Sequence, residues 1–102
     1  MGKYVFAYKG GGMAQTDEAR EAAMAAWGAW FGTLGNAVTD GGNPFGASVT
    51  VSPSGITAGG AAGAGGYSIV TADSLDDAAA LTKGCPVLDG GGTVEVYEAI
   101  PM

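Results

Sequence analysis

The stretch KYVFAYK, Lys3 to Lys9, decides the fold of this chain. Five apolar or aromatic residues stand between the two lysines, and Gly10, Gly11 and Gly12 follow. Aromatic and β-branched residues favour strands, and a glycine cluster ends them, so the stretch predicts a first strand. Tyr4 to Tyr8 show no alternation of polar and apolar residues, which is typical of a strand with both faces buried.

The residues after this strand predict a long helix from Asp17 to Leu34. Thr16 supplies an N-cap oxygen, and Asp17 and Glu18 place negative charge in the first turn, where the helix dipole favours it. Apolar residues then recur every three or four positions, which is the spacing of one buried helix face. This predicted face contains Ala23, Trp27, Trp30, Phe31 and Leu34.

The remaining patterns predict three more strands and a second helix. The strands are Ala47–Ser52, Gly66–Ala72 and Thr93–Ile100, the helix is Leu75–Lys83, and the segment 59–66, GGAAGAGG, is a hairpin tip. The order βαββαβ predicts an α+β fold of the ferredoxin-like kind, with an antiparallel sheet and two helices on one face. One domain, 1–102, is expected from the length. The uncovered sheet face predicts a homodimer through the sheet faces.

Composition excludes several classes of function. The formal net charge is −6 at pH 7, from ten acidic and four basic residues, so a nucleic-acid partner is not expected. No apolar run approaches the roughly 20 residues of a membrane helix, which favours a cytoplasmic protein without a membrane partner. The chain has no histidine, so no Ser-His or Cys-His pair exists, and neither a metal nor another cofactor is expected.

Four stretches resemble the YCII-related domain family, in its DGPF-type branch. They are KYVFAYKGGG, AAWGAWFGTLGNAVTDGGNPFG, GGYSIVTADSLDDAAALTKGCPVL and GGTVEVYEAIPM, which together cover nearly the whole chain. The resemblance implies a single YCII-related domain in a dimeric α+β barrel, with a cleft between helix and sheet or at the subunit interface. Some bacterial relatives are associated with extracytoplasmic-function sigma factors, so the resemblance also implies such a factor as a candidate partner, by family analogy alone.

Asp40 is the candidate catalytic residue. Some YCII-type proteins have a proposed His-Asp pair in the cleft, and Asp40 corresponds to its acid by its place after the first helix, whereas the histidine and the DGPF signature are absent here. A carboxylate at a cleft mouth can act as a general base, while Asp before Gly41 and Gly42 is also typical of a plain turn. Both interpretations stay open.

The candidate ligand-binding residues are Tyr8, Trp27, Asn43 and Tyr67. Aromatic rings with a few polar groups are typical of small-molecule pockets, although the same rings also build cores. The leading hypothesis is a dimeric protein that binds a small organic ligand or acts as an accessory or regulatory protein. The alternative is an enzyme on a small metabolite, with Asp40 as its acid-base group. Cys85 is expected to be a buried structural thiol.

Overall fold

The computed structural model describes residues 2–10, 16–59 and 64–101 of the chain. They form strands and helices in mixed order, with a 3₁₀ turn at Gly35–Ala37 after the first helix. The strands are β1 Gly2–Lys9, β2 Val38–Asp40, β3 Val49–Ser52, β4 Gly55–Ala58, β5 Ala64–Ala72 and β6 Thr93–Ala99; the helices are α1 Asp17–Leu34, α2 Leu75–Ala80 and α3 Pro86–Asp89.

The main sheet has the strand order β2-β5-β1-β6, and every neighbouring pair is antiparallel. In the centre, Val5 of β1 lies opposite Ile69 of β5 on one side and Tyr97 of β6 on the other. The predicted first, third and fourth strands are therefore confirmed, and the α+β class with them. The long β1 sits between two long partners because its aromatic and β-branched residues suit a pleated surface.

One face of this sheet carries the core. Tyr4, Phe6 and Tyr8 of β1 are buried, whereas the residues between them are only half-buried. All three helices contribute to the same core, which comprises Tyr4, Phe6, Tyr8, Trp30, Val70, Ala72, Ala78, Cys85 and Val87. The helices therefore cover one face of the sheet, with three helices where two were predicted, and the opposite face is uncovered by the described residues. Cys85 is fully buried, which confirms its predicted burial.

The predicted helix termini are confirmed where polar side chains cap them. The Thr16 hydroxyl accepts a hydrogen bond from the Ala19 amide at 3.0 Å, and the Ser74 hydroxyl accepts one from the Asp77 amide at 3.0 Å. The second helix ends at Ala80 rather than Lys83. The chain then turns through Gly84, at φ 82°, and Pro86 opens the short α3, because proline suits the first helical position.

The predicted second strand, Ala47–Ser52, is wrong as a member of the main sheet. That position belongs to Val38–Asp40, which pairs with Val70 and Ile69 of β5. The residues Val49–Ser52 pair instead with Gly55–Ala58 in a separate two-stranded hairpin, and every residue of both strands is exposed. The segment 47–52 lacks large apolar residues, so it gains little by lying over the core.

The predicted hairpin tip, 59–66, is only partly described. Residues 60–63 lie outside the described residues, while Ala64, Gly65 and Gly66 belong to β5. The third strand thus begins earlier than predicted. In the described part of the chain, no helix combines the length and apolarity needed to cross a lipid bilayer.

Candidate ligand-binding cleft

A cleft of about 540 Å³ opens between α1, the start of β5, the segment after β2, and α3. Apolar side chains and glycine backbone supply most of its surface. Its lining comprises Tyr8, Gly10, Ala23, Met24, Trp27, Phe31, Gly41, Gly42, Asn43, Pro44, Gly65, Gly66, Tyr67, Pro86, Val87 and Gly90. A volume of this size is in the range of small-molecule sites.

Packed aromatic rings form the helix side of the cleft. The Tyr8 and Trp27 rings meet edge to face, with centroids 4.9 Å apart and an interplanar angle of 78°. Trp27 also meets Trp30 edge to face at 5.6 Å, and the Trp30 indole N–H donates to the Leu81 carbonyl at 3.1 Å. Because Trp30 is buried and hydrogen-bonded, it fixes the ring of Trp27 against the cleft.

A buried hydrogen-bond chain ties the sheet to the segment after β2. The Tyr8 hydroxyl donates to Ser68 Oγ at 2.7 Å, and the Ser68 hydroxyl donates to the Gly41 carbonyl at 2.6 Å. Burial raises the pKa of Tyr8 to about 12. The Tyr8 phenol is therefore a neutral donor that is already used within the protein.

The segment 41–45 is an irregular continuation of β2 along β5, and it forms the strand side of the cleft. The Asn43 carbonyl accepts from the Tyr67 amide at 3.3 Å, and the Phe45 amide donates to the Gly65 carbonyl at 2.8 Å. The rings of Phe45 and Tyr67 stack with centroids 5.8 Å apart. The stretch that looked like a turn is thus an edge strand with a bulge, as glycine and proline at a sheet edge permit.

Asp40 stands beside the cleft, outside its lining. Its side chain is exposed, and Oδ1 accepts a hydrogen bond from the Gly42 amide at 2.9 Å. This Asx-type contact stabilises the bulge, so the turn interpretation has a structural basis. The catalytic role of Asp40 stays a prediction.

The four residues predicted to bind a ligand all line this one cleft. Tyr8 and Tyr67 come from neighbouring strands, Trp27 from α1, and Asn43 from the edge segment. The sequence interpretation missed Pro86 and Val87, since nothing in KGCPVL indicates that α3 closes one side of the cleft. It also missed Met24, which is 69% exposed beside Trp27; its place next to the apolar stripe was the available signal.

Among the described residues, the lining holds no charged side chain, and their polar chemistry at the cleft is limited to hydroxyl, amide and backbone groups. Within residues 2–10, 16–59 and 64–101, no group of three or more acidic or cysteine side chains is placed to hold a metal ion. Cys85, which precedes Pro86 of the lining, is fully buried, and burial raises the pKa of its thiol, which favours the protonated, less nucleophilic form. The arrangement suits binding by shape and apolar contact.

Comparisons with protein-family models, with curated proteins and with solved structures found no match for this chain.

Proposed function

We propose that this protein binds a small organic molecule in the cleft between α1 and the edge of the sheet. The observation that carries the proposal is a concavity of about 540 Å³ whose aromatic side is held in place by buried contacts. Apolar surface of this kind gains free energy when a ligand displaces its water, at roughly 25 cal/mol per Å². A side chain packed as firmly as Trp27 loses little further conformational freedom on binding.

The strand order and the uncovered sheet face support a second part of the proposal, which concerns the fold family and the formation of a homodimer. An antiparallel sheet ordered β2-β5-β1-β6, with the helices on one face, is what a ferredoxin-like fold with an inserted hairpin would have. On the uncovered face, Val5, Ile69 and Tyr97 lie side by side in register. We accordingly propose a YCII-related domain that forms a homodimer through this face.

A pair of alanine-to-leucine variants on α1 tests ligand binding. Ala23 lines the cleft and is half-buried, whereas Ala26 lies three residues further on, is exposed, and is outside the lining. Ala23→Leu adds bulk inside the cleft, and Ala26→Leu adds the same bulk to solvent-facing helix. Alanine and leucine are both good helix formers, so neither change disturbs α1 through helix propensity.

The measurement is the thermal midpoint of the wild type and both variants against a fragment collection of mixed charge and mixed aromatic and aliphatic scaffolds. A fragment at 100 times its Kd stabilises the folded state by about 2.7 kcal/mol. We expect fragments that stabilise the wild type and Ala26→Leu but no longer stabilise Ala23→Leu. If no fragment raises the midpoint, or if Ala23→Leu responds as the wild type does, the cleft is not a binding site.

A further inference from the structure

We propose that the ligand of this cleft is an uncharged, planar ring compound. The inference rests on the proposed function, because it specifies the ligand class of the same cleft. Three features carry it: the absence of charged side chains among the described lining residues, the glycines on the strand side of the cleft, and the polar Asn43 side chain in a lining with aromatic rings.

The charge pattern disfavours an ionised ligand. Among the described lining residues none is ionised at neutral pH, and the two internal stretches outside the described residues, 11–15 and 60–63, contain no ionisable side chain in sequence. A charge taken out of water needs a partner, and without one the cost is several kcal/mol. The net charge of −6 adds long-range repulsion toward anions.

Glycines make the strand side of the cleft flat. Gly41, Gly42, Gly65 and Gly66 all contribute to it. Two of these glycines are required by the protein itself: Gly42 has φ 74° and a Cβ there would collide with the Tyr67 carbonyl, and a Cβ on Gly66 would lie 3.1 Å from the Asn43 carbonyl oxygen.

The other two glycines have no such internal requirement. A Cβ on Gly41 would meet no atom within 4 Å, and one on Gly65 would meet only the Tyr8 carbonyl oxygen, at 3.7 Å. Glycine at a strand position often marks a place where a ligand approaches the backbone closely. A bare backbone surface offers dispersion contacts over the whole face of a flat ring system, which a puckered molecule cannot match.

The aromatic side of the cleft and its polar lining favour a ligand that has an aromatic ring and a polar atom. The ring of Trp27 and the thioether of Met24 both favour contact with another aromatic ring. Within the described residues, the Asn43 side-chain amide has no side-chain hydrogen-bond partner, so it is available to a hydroxyl, amine or carbonyl on the ligand. Tyr67 lies opposite Ala7, between the core-facing Gly66 and Ser68, so its ring is on the other face of the sheet and its backbone contributes to the lining. A ring system that is apolar except for one polar atom matches the hydrogen-bonding groups of the lining.

Four related compounds test the proposal by isothermal titration calorimetry at pH 7. The neutral planar probe is 1-naphthol, and its comparators are the anion 1-naphthoate, the cation 1-naphthylmethylammonium and the saturated, non-planar decahydro-1-naphthol. We expect 1-naphthol to bind, to lose at least tenfold in affinity in Ala23→Leu, and to keep its affinity in Ala26→Leu. We expect each comparator to bind the wild type at least tenfold more weakly than 1-naphthol.

The outcomes separate this inference from the proposed function. If one of the charged probes or the saturated probe binds as tightly as 1-naphthol, and Ala23→Leu abolishes that binding, the cleft is a ligand site but the ligand class is wrong. If 1-naphthol does not bind, while other fragments bind the wild type but not Ala23→Leu, the proposed ligand class is again wrong. The binding function itself is removed if the whole fragment collection fails, or if Ala23→Leu responds to the fragments as the wild type does.

Discussion

At the scale of single residues, the most informative group is the chain from the Tyr8 hydroxyl through Ser68 to the Gly41 carbonyl. Ser68 is fully buried, and it is both the acceptor for Tyr8 and the donor to Gly41. We expect Ser68→Ala to lower the free energy of unfolding by about 1–3 kcal/mol, because it strands the buried Tyr8 hydroxyl. Tyr8→Phe should cost only about 1 kcal/mol, since Ser68 keeps its bond to Gly41.

Urea denaturation of the two single variants against the wild type measures this difference. The matched control is Thr57→Ala, because Thr57 lies in the exposed hairpin, and its change should be within about 0.5 kcal/mol. Equal losses in Ser68→Ala and Tyr8→Phe would contradict the role given to Ser68.

Tyr8 also makes a contribution to the free energy of unfolding that decreases at alkaline pH. Burial raises its pKa from 10.0 to about 12, so the folded protein holds the phenol proton at pH values where the unfolded chain has released it. Since the unfolded state then binds fewer protons, the contribution of Tyr8 to stability is fully present below pH 10 and is lost as the pH rises towards 12. We therefore expect the stability advantage of the wild type over Tyr8→Phe to shrink between pH 10 and pH 12.

Urea titrations of both proteins at pH 8 and at pH 11 measure the change. The Tyr8→Phe variant serves as the reference, because every other alkaline titration is common to the two chains. A difference in unfolding free energy that is the same at both pH values would show that the phenol is not shielded from water in the folded state.

At the scale of elements, the edge strand around residues 38–45 was the feature that the sequence could not predict. Gly41, Gly42, Asn43 and Pro44 are typical turn residues, and their pattern favours a loop. In the fold the same residues let an edge strand bulge and resume its pairing with β5, as the Phe45 to Gly65 hydrogen bond shows. Turn chemistry and bulge chemistry use the same residue types, so local sequence does not separate them.

Elements with strong local signals were predictable, and those set by tertiary contacts were not. The caps at Thr16 and Ser74 and the strands β1, β5 and β6 follow from residue type and pattern. By contrast, α3 exists because Cys85 and Val87 pack into the core, which no local pattern indicates. The same holds for the cleft: its aromatic residues were predictable, but the contribution of α3 to its lining was not.

Two adjacent glycines test the bulge. Gly42 has φ 74° and would clash with the Tyr67 carbonyl if it carried a Cβ, whereas a Cβ at Gly41 meets open space. We expect Gly42→Ala to cost about 2 kcal/mol or more, because alanine in the left-handed region adds strain to the clash. Gly41→Ala should change the free energy of unfolding by less than about 1 kcal/mol.

Thermal and urea unfolding of the two variants give the comparison, and Gly41→Ala is the matched control for the same substitution one residue away. Similar stability of both variants would mean that the edge strand does not hold its bulge at Gly42. Because Asp40 Oδ1 accepts from the Gly42 amide, Asp40→Ala should show a smaller loss in the same direction.

At the scale of the whole molecule, the shape is flat, with principal extents of 44 × 41 × 20 Å. One layer of helices on one sheet accounts for the short dimension, since layers pack about 10 Å apart. The hairpin of β3 and β4 widens the molecule, and Val49, Val51 and Ile56 on it are each more than 60% exposed. A second copy against the uncovered sheet face would turn this open two-layer arrangement into a closed one.

The last prediction concerns that face, whose centre is Val5 between Ile69 and Tyr97. Near this centre, the Lys9 ammonium pairs with Glu95 at 3.2 Å, and the Tyr97 hydroxyl donates to the same carboxylate at 2.6 Å, so the charges of Lys9 and Glu95 offset each other. We expect the wild type to sediment as a dimer at micromolar concentration. Val5→Glu should raise the dimer Kd at least tenfold, because an unpaired carboxylate buried at the contact costs more than about 1.4 kcal/mol.

Ala26→Glu, on the exposed side of α1, is the control and should remain dimeric. Sedimentation velocity, with circular dichroism to verify folding, distinguishes the cases: a wild type of monomer mass, or a folded Val5→Glu that dimerises as the wild type does, would show that this face is not the contact.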